Sequence, residues 1–152
     1  LKIYGVDINR QMIDLTYKMG ATLFTESIND IEKSIDVIID TTGIPQVIAD
    51  AYNKLAPSGR LILVGQPAPG KSIELPNAVS MFDGTGKSVK ATQGGGTIPH
   101  VDIPRYIGLA SKGIIQYKQL HTDTFKLDEI NQAFDLLKSG SAGRIMVRIN
   151  DI

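Results

Sequence analysis

The stretch Lys2-Ile3-Tyr4-Gly5-Val6-Asp7-Ile8-Asn9 decides the fold. A short apolar run ends in Asp7, and apolar residues at helical spacing follow it as far as Met19. In doubly wound α/β folds, ligands bind at the carboxyl ends of the strands. An Asp at such a strand end can accept hydrogen bonds from both hydroxyls of a ribose, as in dinucleotide-binding folds. Asp is also a favoured helix N-cap, so the octet leaves two roles open for Asp7.

Predicted strands and helices alternate from the first residue to residue 65. Apolar runs bounded by turn residues predict strands at residues 2–6, 21–24, 35–40 and 60–65, and a further strand at 87–92; 2–6 and 60–65 are expected to be buried and 35–40 to be central. Helical patterns lie between the first four strands, at residues 9–19, 28–33 (short and exposed) and 45–55, and another follows the fifth strand at 103–113. This order predicts an α/β fold with a parallel sheet and right-handed crossovers.

Two segments depart from the alternation. Residues 66–86 are rich in Pro and Gly and predict a long excursion with one extended piece, Ser72–Leu75. Near the end, an extended run, an amphipathic helix beginning at Leu127 and a strand at 145–149 predict a small helix–strand appendage. We therefore expect a partial dinucleotide-binding domain at 1–115 and a C-terminal segment at 116–152 that returns to a catalytic domain absent from this sequence.

Composition excludes several function classes. Sixteen basic and 16 acidic residues give a formal net charge of zero, so neither a nucleic-acid surface nor an anionic-membrane surface is expected. There is no Cys, and the two His residues, His100 and His121, are too few for a zinc site without carboxylate help. No apolar run is long enough to cross a membrane and no signal-peptide pattern is present, so we expect a cytoplasmic location. The chain begins with Leu1, not Met, which suggests a fragment.

Several stretches together resemble one family. They are Gly5-Val6-Asp7-Ile8-Asn9, Met19-Gly20-Ala21-Thr22, Arg60-Leu61-Ile62-Leu63-Val64-Gly65, Leu127-Asp128-Glu129-Ile130-Asn131-Gln132-Ala133-Phe134-Asp135-Leu136-Leu137, and Gly140 through Arg144. In order and spacing, the chain resembles the carboxyl-terminal portion of a zinc-type, medium-chain alcohol dehydrogenase. The resemblance implies a Rossmann-like, doubly wound parallel sheet whose first strand and Gly-x-Gly-x-x-Gly loop are missing here. The catalytic zinc ligands are also missing, and Gly94-Gly95-Gly96 lacks the spacing to replace the loop.

The resemblance implies roles for ten residues in binding NAD. Asp7, followed by Asn9, matches the acid that binds the adenosine ribose, and Thr41, Thr42 and Ile44 match the loop against the adenine and ribose. Val64 and Gln66 match the loop beside the nicotinamide, Ala91 and Gln93 match backbone positions that hold the carboxamide, and Arg144 matches an arginine that reaches the pyrophosphate. Thr41 and Thr42 are also ordinary loop residues, Val64 is also a packing residue, and Arg144 is also an ordinary surface cation.

The acid favours NAD over NADP, because a carboxylate repels a 2′-phosphate. Arg10 weakens that preference, since a nearby cation attracts the phosphate, and Met12 stands where some family members have a ribose-binding Lys. Zinc is expected in the parent protein, with no ligands in this chain. Asp40, at the end of its strand, is expected to hydrogen-bond loop amides.

The implied activity is hydride transfer between NAD and a small alcohol or aldehyde, with the fragment itself inactive. Three alternatives stay open: a zinc-independent quinone-reductase-like enzyme using NADPH, a non-catalytic nucleotide-binding or interaction domain, and an S-adenosylmethionine-dependent methyltransferase. Against the methyltransferase, the stretch Asp40-Thr41-Thr42-Gly43 lacks the Asn/Asp-Pro-Pro-aromatic motif that amine methylators of that class often show. The excursion matches the region through which family members pair across a dimer, so a homo-oligomer, either dimer or tetramer, is expected.

Overall fold

The computed structural model describes residues 1–32 and 34–150. Two compact units are present: Leu1–Glu26 together with the chain from Ile98 onward, and Ser27–Thr97. The strands are β1 (Tyr4–Val6), β2 (Leu23–Thr25), β3 (Ile35–Asp40), β4 (Leu55–Leu63), β5 (Ser88–Ala91), β6 (His121–Lys126) and β7 (Arg144–Arg148). The helices are α1 (Ile13–Lys18), α2 (Pro45–Asn53), α3 (Pro99–Ser111) and α4 (Ile130–Lys138).

Every strand pair is parallel, which confirms the predicted α/β class. The strands form three sheets, of order β1-β2, β3-β4-β5 and β6-β7. The division into domains at residue 115 stays a prediction.

The unit Ser27–Thr97 contains the best-packed core of the chain. Pro45 stands in the first turn of α2, as predicted, because its fixed φ suits a helix start and its missing N–H has no partner to lose there. The apolar face of α2 supplies Ile48 and Tyr52, which are fully buried, as is Leu61 on β4. The Lys87 ammonium lies 5.3 Å from the centre of the Tyr52 ring. Within the described residues the buried Tyr52 hydroxyl has no hydrogen-bond partner.

The structure corrects the prediction that β3 is a central strand. β4 lies in the middle of this sheet and β3 is at its edge, so Ile39 is 63% exposed. The β-forming residues of this run favour extended backbone, but they do not indicate how many strands lie beside it. β4 also begins at Leu55, earlier than the strand predicted at 60–65. Within it Ser58 has φ 62°, and the register with β3 shifts between Ile35 and Val37.

The excursion contains a 3₁₀ turn at Ala78–Phe82, and its predicted extended piece, Ser72–Leu75, is not part of a strand. A strand needs a hydrogen-bonded neighbour, and none of the described segments pairs with residues 72–75. The predicted helix at 28–33 is a single 3₁₀ turn, Ile28–Asp30, and both Ile28 and Ile31 are buried rather than exposed. Lys33, the last residue of that prediction, lies outside the described residues.

The other unit contains two parallel strand pairs. α1 connects β1 to β2, and α4 connects β6 to β7, which confirms the predicted helix–strand appendage. The predicted burial of the first strand was wrong: Ile3 is 45% exposed and Val6 is 42% exposed. β1 is short and is hydrogen-bonded only to β2 within the described residues, so little of its surface is covered. Among the helices of residues 1–32 and 34–150, none combines the length and apolarity needed to cross a membrane.

We expect Tyr52→Phe to stabilise the protein by about 1 kcal/mol, because it removes a buried hydroxyl that lacks a partner and keeps the ring beneath Lys87. Chemical unfolding measures the change. The control is Tyr17→Phe, because the Tyr17 hydroxyl accepts a hydrogen bond from the Phe24 amide at 3.3 Å. A loss of stability in Tyr52→Phe as large as in Tyr17→Phe would show that a water molecule satisfies the buried hydroxyl in solution.

Candidate functional site

Asp7 is the first residue after β1, at the carboxyl end of the strand, and its side chain is exposed. Its amide donates to the Thr25 carbonyl at 3.1 Å, which fixes the backbone beside the end of β2. One carboxylate oxygen, Oδ1, accepts from the Asn9 amide at 2.8 Å. The other, Oδ2, accepts no hydrogen bond from the described residues. The side chain can therefore accept a ligand hydroxyl without losing its own local contact.

Asn9, not Asp7, caps the helical segment that follows. Its Oδ1 accepts from the Gln11 amide at 3.0 Å, the usual N-cap contact. Its Nδ2 donates to the Gly140 carbonyl at 2.9 Å. This bond joins the end of β1 to the loop before β7. Both polar atoms of the Asn9 side chain thus serve the fold, and the capping role considered for Asp7 belongs to Asn9.

Sequence reasoning missed Glu26, the first residue after β2. Its Oε1 accepts from Arg10 Nε at 2.6 Å, and the two side chains are 45% and 76% exposed. The strand-end rule that singled out Asp7 applies equally to Glu26. The sequence does not show the β1–β2 register, in which Val6 pairs with Thr25. This register brings the acids that follow the two strands to one edge.

Arg144 begins β7, four residues after the Gly140 carbonyl that Asn9 binds. Its side chain is exposed and forms no ion pair within the described part of the chain. Gly143, just before it, packs so closely on Thr122 that a Cβ there would lie 2.8 Å from the Thr122 methyl group. The loop is therefore held from two sides, and the Arg144 guanidinium is available to an anionic ligand.

Asp40 organises the loop after β3 in the other unit. It is 4% exposed, and its carboxylate accepts from the Thr42 amide at 3.2 Å, the Thr42 hydroxyl at 2.7 Å and the Gly43 amide at 3.0 Å. Its backbone carbonyl accepts from the amides of Val64 and Gly65, at 2.8 and 3.0 Å. The prediction that Asp40 hydrogen-bonds loop amides is confirmed. The Thr42 hydroxyl also accepts from the Ile44 amide at 3.1 Å, so it supports the loop.

Two glycines allow the loops after β3 and β4 to touch. A Cβ on Gly65 would overlap the Gly43 nitrogen and lie 2.6 Å from the Thr41 carbonyl carbon. Gly43 has φ 65°, and a Cβ there would lie 2.6 Å from the Gln66 carbonyl carbon. Only residues without a side chain fit where the backbones approach this closely.

The remaining predicted residues of this unit share one edge of the sheet. Because β3, β4 and β5 are parallel, the loops that follow them lie together at their carboxyl ends. Each of these residues is exposed there: Thr41, Thr42, Ile44, Val64, Gln66, Ala91 and Gln93. The edge therefore presents apolar, hydroxyl and amide side chains, and Asp40 and the two glycines hold the loops after β3 and β4 in place. Such an edge can accept a flat ring and its polar substituents.

A sequence model described as "Zinc-binding dehydrogenase" matches residues 1–112. The chain belongs to the zinc-binding dehydrogenase family. The resemblance to medium-chain alcohol dehydrogenases is thereby confirmed. Among the curated relatives, "Alcohol dehydrogenase-like 5" of Arabidopsis thaliana is 29% identical over 98% of this chain and 41% of its own length. The chain thus spans about two fifths of the length of the curated relatives it matches over nearly its whole length.

Solved structures of alcohol dehydrogenases share the fold. Benzyl alcohol dehydrogenase of Acinetobacter calcoaceticus superposes with a TM-score of 0.88 at 22% identity, over 98% of this chain and 43% of that one. A short chain alcohol dehydrogenase of E. coli CFT073, complexed with the cofactor NADH, gives a TM-score of 0.77 at 19% identity, over 97% and 44%. These likenesses confirm the predicted Rossmann-like fold.

The described residues of this zinc-binding dehydrogenase chain do not fit a zinc ion. Within residues 1–32 and 34–150, no three His, Asp or Glu side chains are grouped to hold a metal. His100 lies in the first turn of α3, and His121 Nε2 is within 2.9 Å of both the Asp123 carbonyl and the Thr124 hydroxyl. We therefore assign no metal ligand in this chain.

We expect Gly65→Ala to destabilise this dehydrogenase chain by about 1–3 kcal/mol, because the new methyl group overlaps the loop after β3. The control is Gly96→Ala, since a Cβ at Gly96 meets nothing within 4 Å. Thermal unfolding of both variants measures the difference. Equal stabilities would mean that the loops after β3 and β4 are not packed together in solution.

Proposed function

We propose that this chain is the cofactor-holding part of an NAD-dependent alcohol dehydrogenase. The observation that carries the proposal is the Asp7 carboxylate at the carboxyl end of β1, with one oxygen free to accept hydrogen bonds. In a Rossmann-like fold an acid at this place binds the ribose of a dinucleotide. Membership of a dehydrogenase family supports the same ligand.

Asp7 is the residue to which we assign recognition of the adenosine ribose. A carboxylate accepts hydrogen bonds from neighbouring hydroxyls more strongly than a neutral acceptor does. The same negative charge repels a 2′-phosphate, which favours NAD over NADP. Asn9 acts indirectly in this proposal, because its backbone amide holds the Asp7 carboxylate and its side chain holds the loop before Arg144. Arg144 is assigned to the pyrophosphate, as an exposed cation without an ion pair in the described residues.

In the unit Ser27–Thr97, we assign the loops at the sheet edge to the cofactor's rings. Thr41, Thr42 and Ile44 are assigned to the adenine and ribose, and Val64 and Gln66 to the nicotinamide side. Ala91 and Gln93 are assigned to the carboxamide. The exposure of all seven residues and the hydrogen bonds by which Asp40 holds the loops after β3 and β4 support these roles.

NAD, when bound, supplies the hydride chemistry, with a small alcohol or aldehyde as the substrate. The residues of this chain supply position, since a held cofactor presents its reacting carbon in one orientation. None of the described side chains is assigned to the chemical step, so we propose that the chain alone is inactive.

Family membership removes the methyltransferase alternative. The quinone-reductase-like alternative uses NADPH, and the carboxylate of Asp7 disfavours it. A non-catalytic nucleotide-binding or interaction domain is distinguished from the proposed enzyme by NAD-dependent alcohol oxidation in the protein that carries this chain.

We expect Asp7→Asn to weaken NAD binding by about 10- to 100-fold, because hydrogen bonds to a charged acceptor contribute about 1.5–3 kcal/mol. Isothermal titration calorimetry measures the dissociation constant. Asp14→Asn is the matched control: Asp14 lies on α1, is exposed and makes the same change in charge. An unchanged affinity in Asp7→Asn, or absence of NAD binding to the unmodified protein, would refute the proposal.

We further propose that the excursion mediates self-association. Its 3₁₀ turn, Ala78–Phe82, exposes Val79 by 78% and Phe82 by 82%. Large apolar side chains exposed together on one turn are typical of interfaces.

Phe82→Asp is expected to weaken dimerisation at least about tenfold, because it places a charge where an apolar contact is proposed. Sedimentation velocity over a range of concentrations measures the equilibrium. Gln119→Asp, on an exposed residue outside the excursion, is the control. If the unmodified protein stays monomeric at high concentration, the proposal is wrong.

A further inference from the structure

The carboxyl edge of β1 and β2 carries more charge than the ribose acid alone. Asp7 follows β1, Glu26 follows β2, and Arg10 pairs with Glu26 through Nε at 2.6 Å. We propose that Glu26 is a specificity residue that occupies Arg10 and thereby selects NAD against NADP. This inference rests on the proposed function, because it concerns the nucleotide assigned to Asp7.

The pairing of β1 with β2 brings the two acids to one edge. Val6 is opposite Thr25, and the Asp7 amide donates to the Thr25 carbonyl at 3.1 Å. Asp7 directly follows Val6, and Glu26 directly follows Thr25, the residue with which Val6 pairs. With Arg10, the edge has two negative charges and one positive charge. A neutral ribose hydroxyl can bind beside this net negative charge, whereas the charge repels the 2′-phosphate of NADP.

Arg10 is the group that would otherwise reverse this preference. A guanidinium presents a planar set of donors that matches a phosphate, and Arg is the side chain best suited to such recognition. Glu26 binds Nε, so a phosphate must compete with a carboxylate already in contact with the guanidinium. Without Glu26, the edge becomes neutral and Arg10 is free to turn toward a 2′-phosphate.

The exposure of the pair indicates that its effect is on binding and not on folding. The Arg10 and Glu26 side chains are 76% and 45% exposed. Ion pairs at such positions contribute little to stability, because water screens them and ordering two long side chains costs entropy. Removal of Glu26 should therefore leave the fold intact, which makes the binding experiment direct.

The experiment measures binding of ADP-ribose and 2′-phospho-ADP-ribose to the protein by calorimetry. In Glu26→Gln we expect affinity for 2′-phospho-ADP-ribose to rise about tenfold, with affinity for ADP-ribose within about twofold of the unmodified protein. Glu26→Ala should behave in the same way. The gain should vanish in the double variant Arg10→Gln/Glu26→Gln, because no guanidinium is then available. Asp14→Asn, which removes one acidic charge elsewhere on the same unit, should give a smaller change.

The outcomes separate this inference from the proposed function. If the unmodified protein binds ADP-ribose and the preference is the same in Glu26→Gln, Glu26 has no role in specificity and the proposed function stands. A gain that persists in the double variant also overturns the inference, because Arg10 is then not the group involved. If the unmodified protein binds neither nucleotide, both the inference and the proposed function are wrong.

Discussion

A buried carboxylate holds the loops at the carboxyl edge of the three-stranded sheet. Asp40 is almost inaccessible to water, yet its carboxylate accepts three hydrogen bonds from Thr42 and Gly43. Burying a carboxylate is costly unless donors replace the water it loses. The loop after β3 must therefore take the shape that supplies those donors, and the loop after β4 is held beside it because the Val64 and Gly65 amides donate to the Asp40 backbone carbonyl. Gly43 and Gly65 make that shape possible, because their backbones approach where no side chain fits.

Much of this arrangement could be predicted because it depends on local chemistry. The bonds of Asp40 to Thr42 and Gly43 join residues two and three positions apart, which a sequence shows directly. The start of α2 at Pro45 is equally local. The number of strands beside a given strand is not determined by local sequence. For this reason β3 was expected in the centre of its sheet, whereas it lies at the edge. The same limit applies to the extended piece predicted at Ser72–Leu75, since extended residues become a strand only when a partner is adjacent.

The candidate site divides in the same way. Asp7 was predicted as an acid at a strand end, and the same rule applies to Glu26. Its place beside Asp7 could not be predicted, because it depends on the β1–β2 register. The two polar groups of Asn9 show the limit most clearly. One caps the adjacent turn, as composition suggests, and the other binds the Gly140 carbonyl, 131 residues away. Long-range contacts of this kind depend on tertiary structure and leave no signal in spacing.

The distribution of the two units along the chain has a consequence for biosynthesis. Ser27–Thr97 is one continuous segment, so the whole unit has left the ribosome once Thr97 has emerged. The other unit is discontinuous, and Asn9 emerges long before the Gly140 carbonyl that it binds. Domains form as their segments become available during translation. The edge that carries Asp7 is thus made before the loop that holds it, so a nascent chain completes this edge only when translation has passed Gly140.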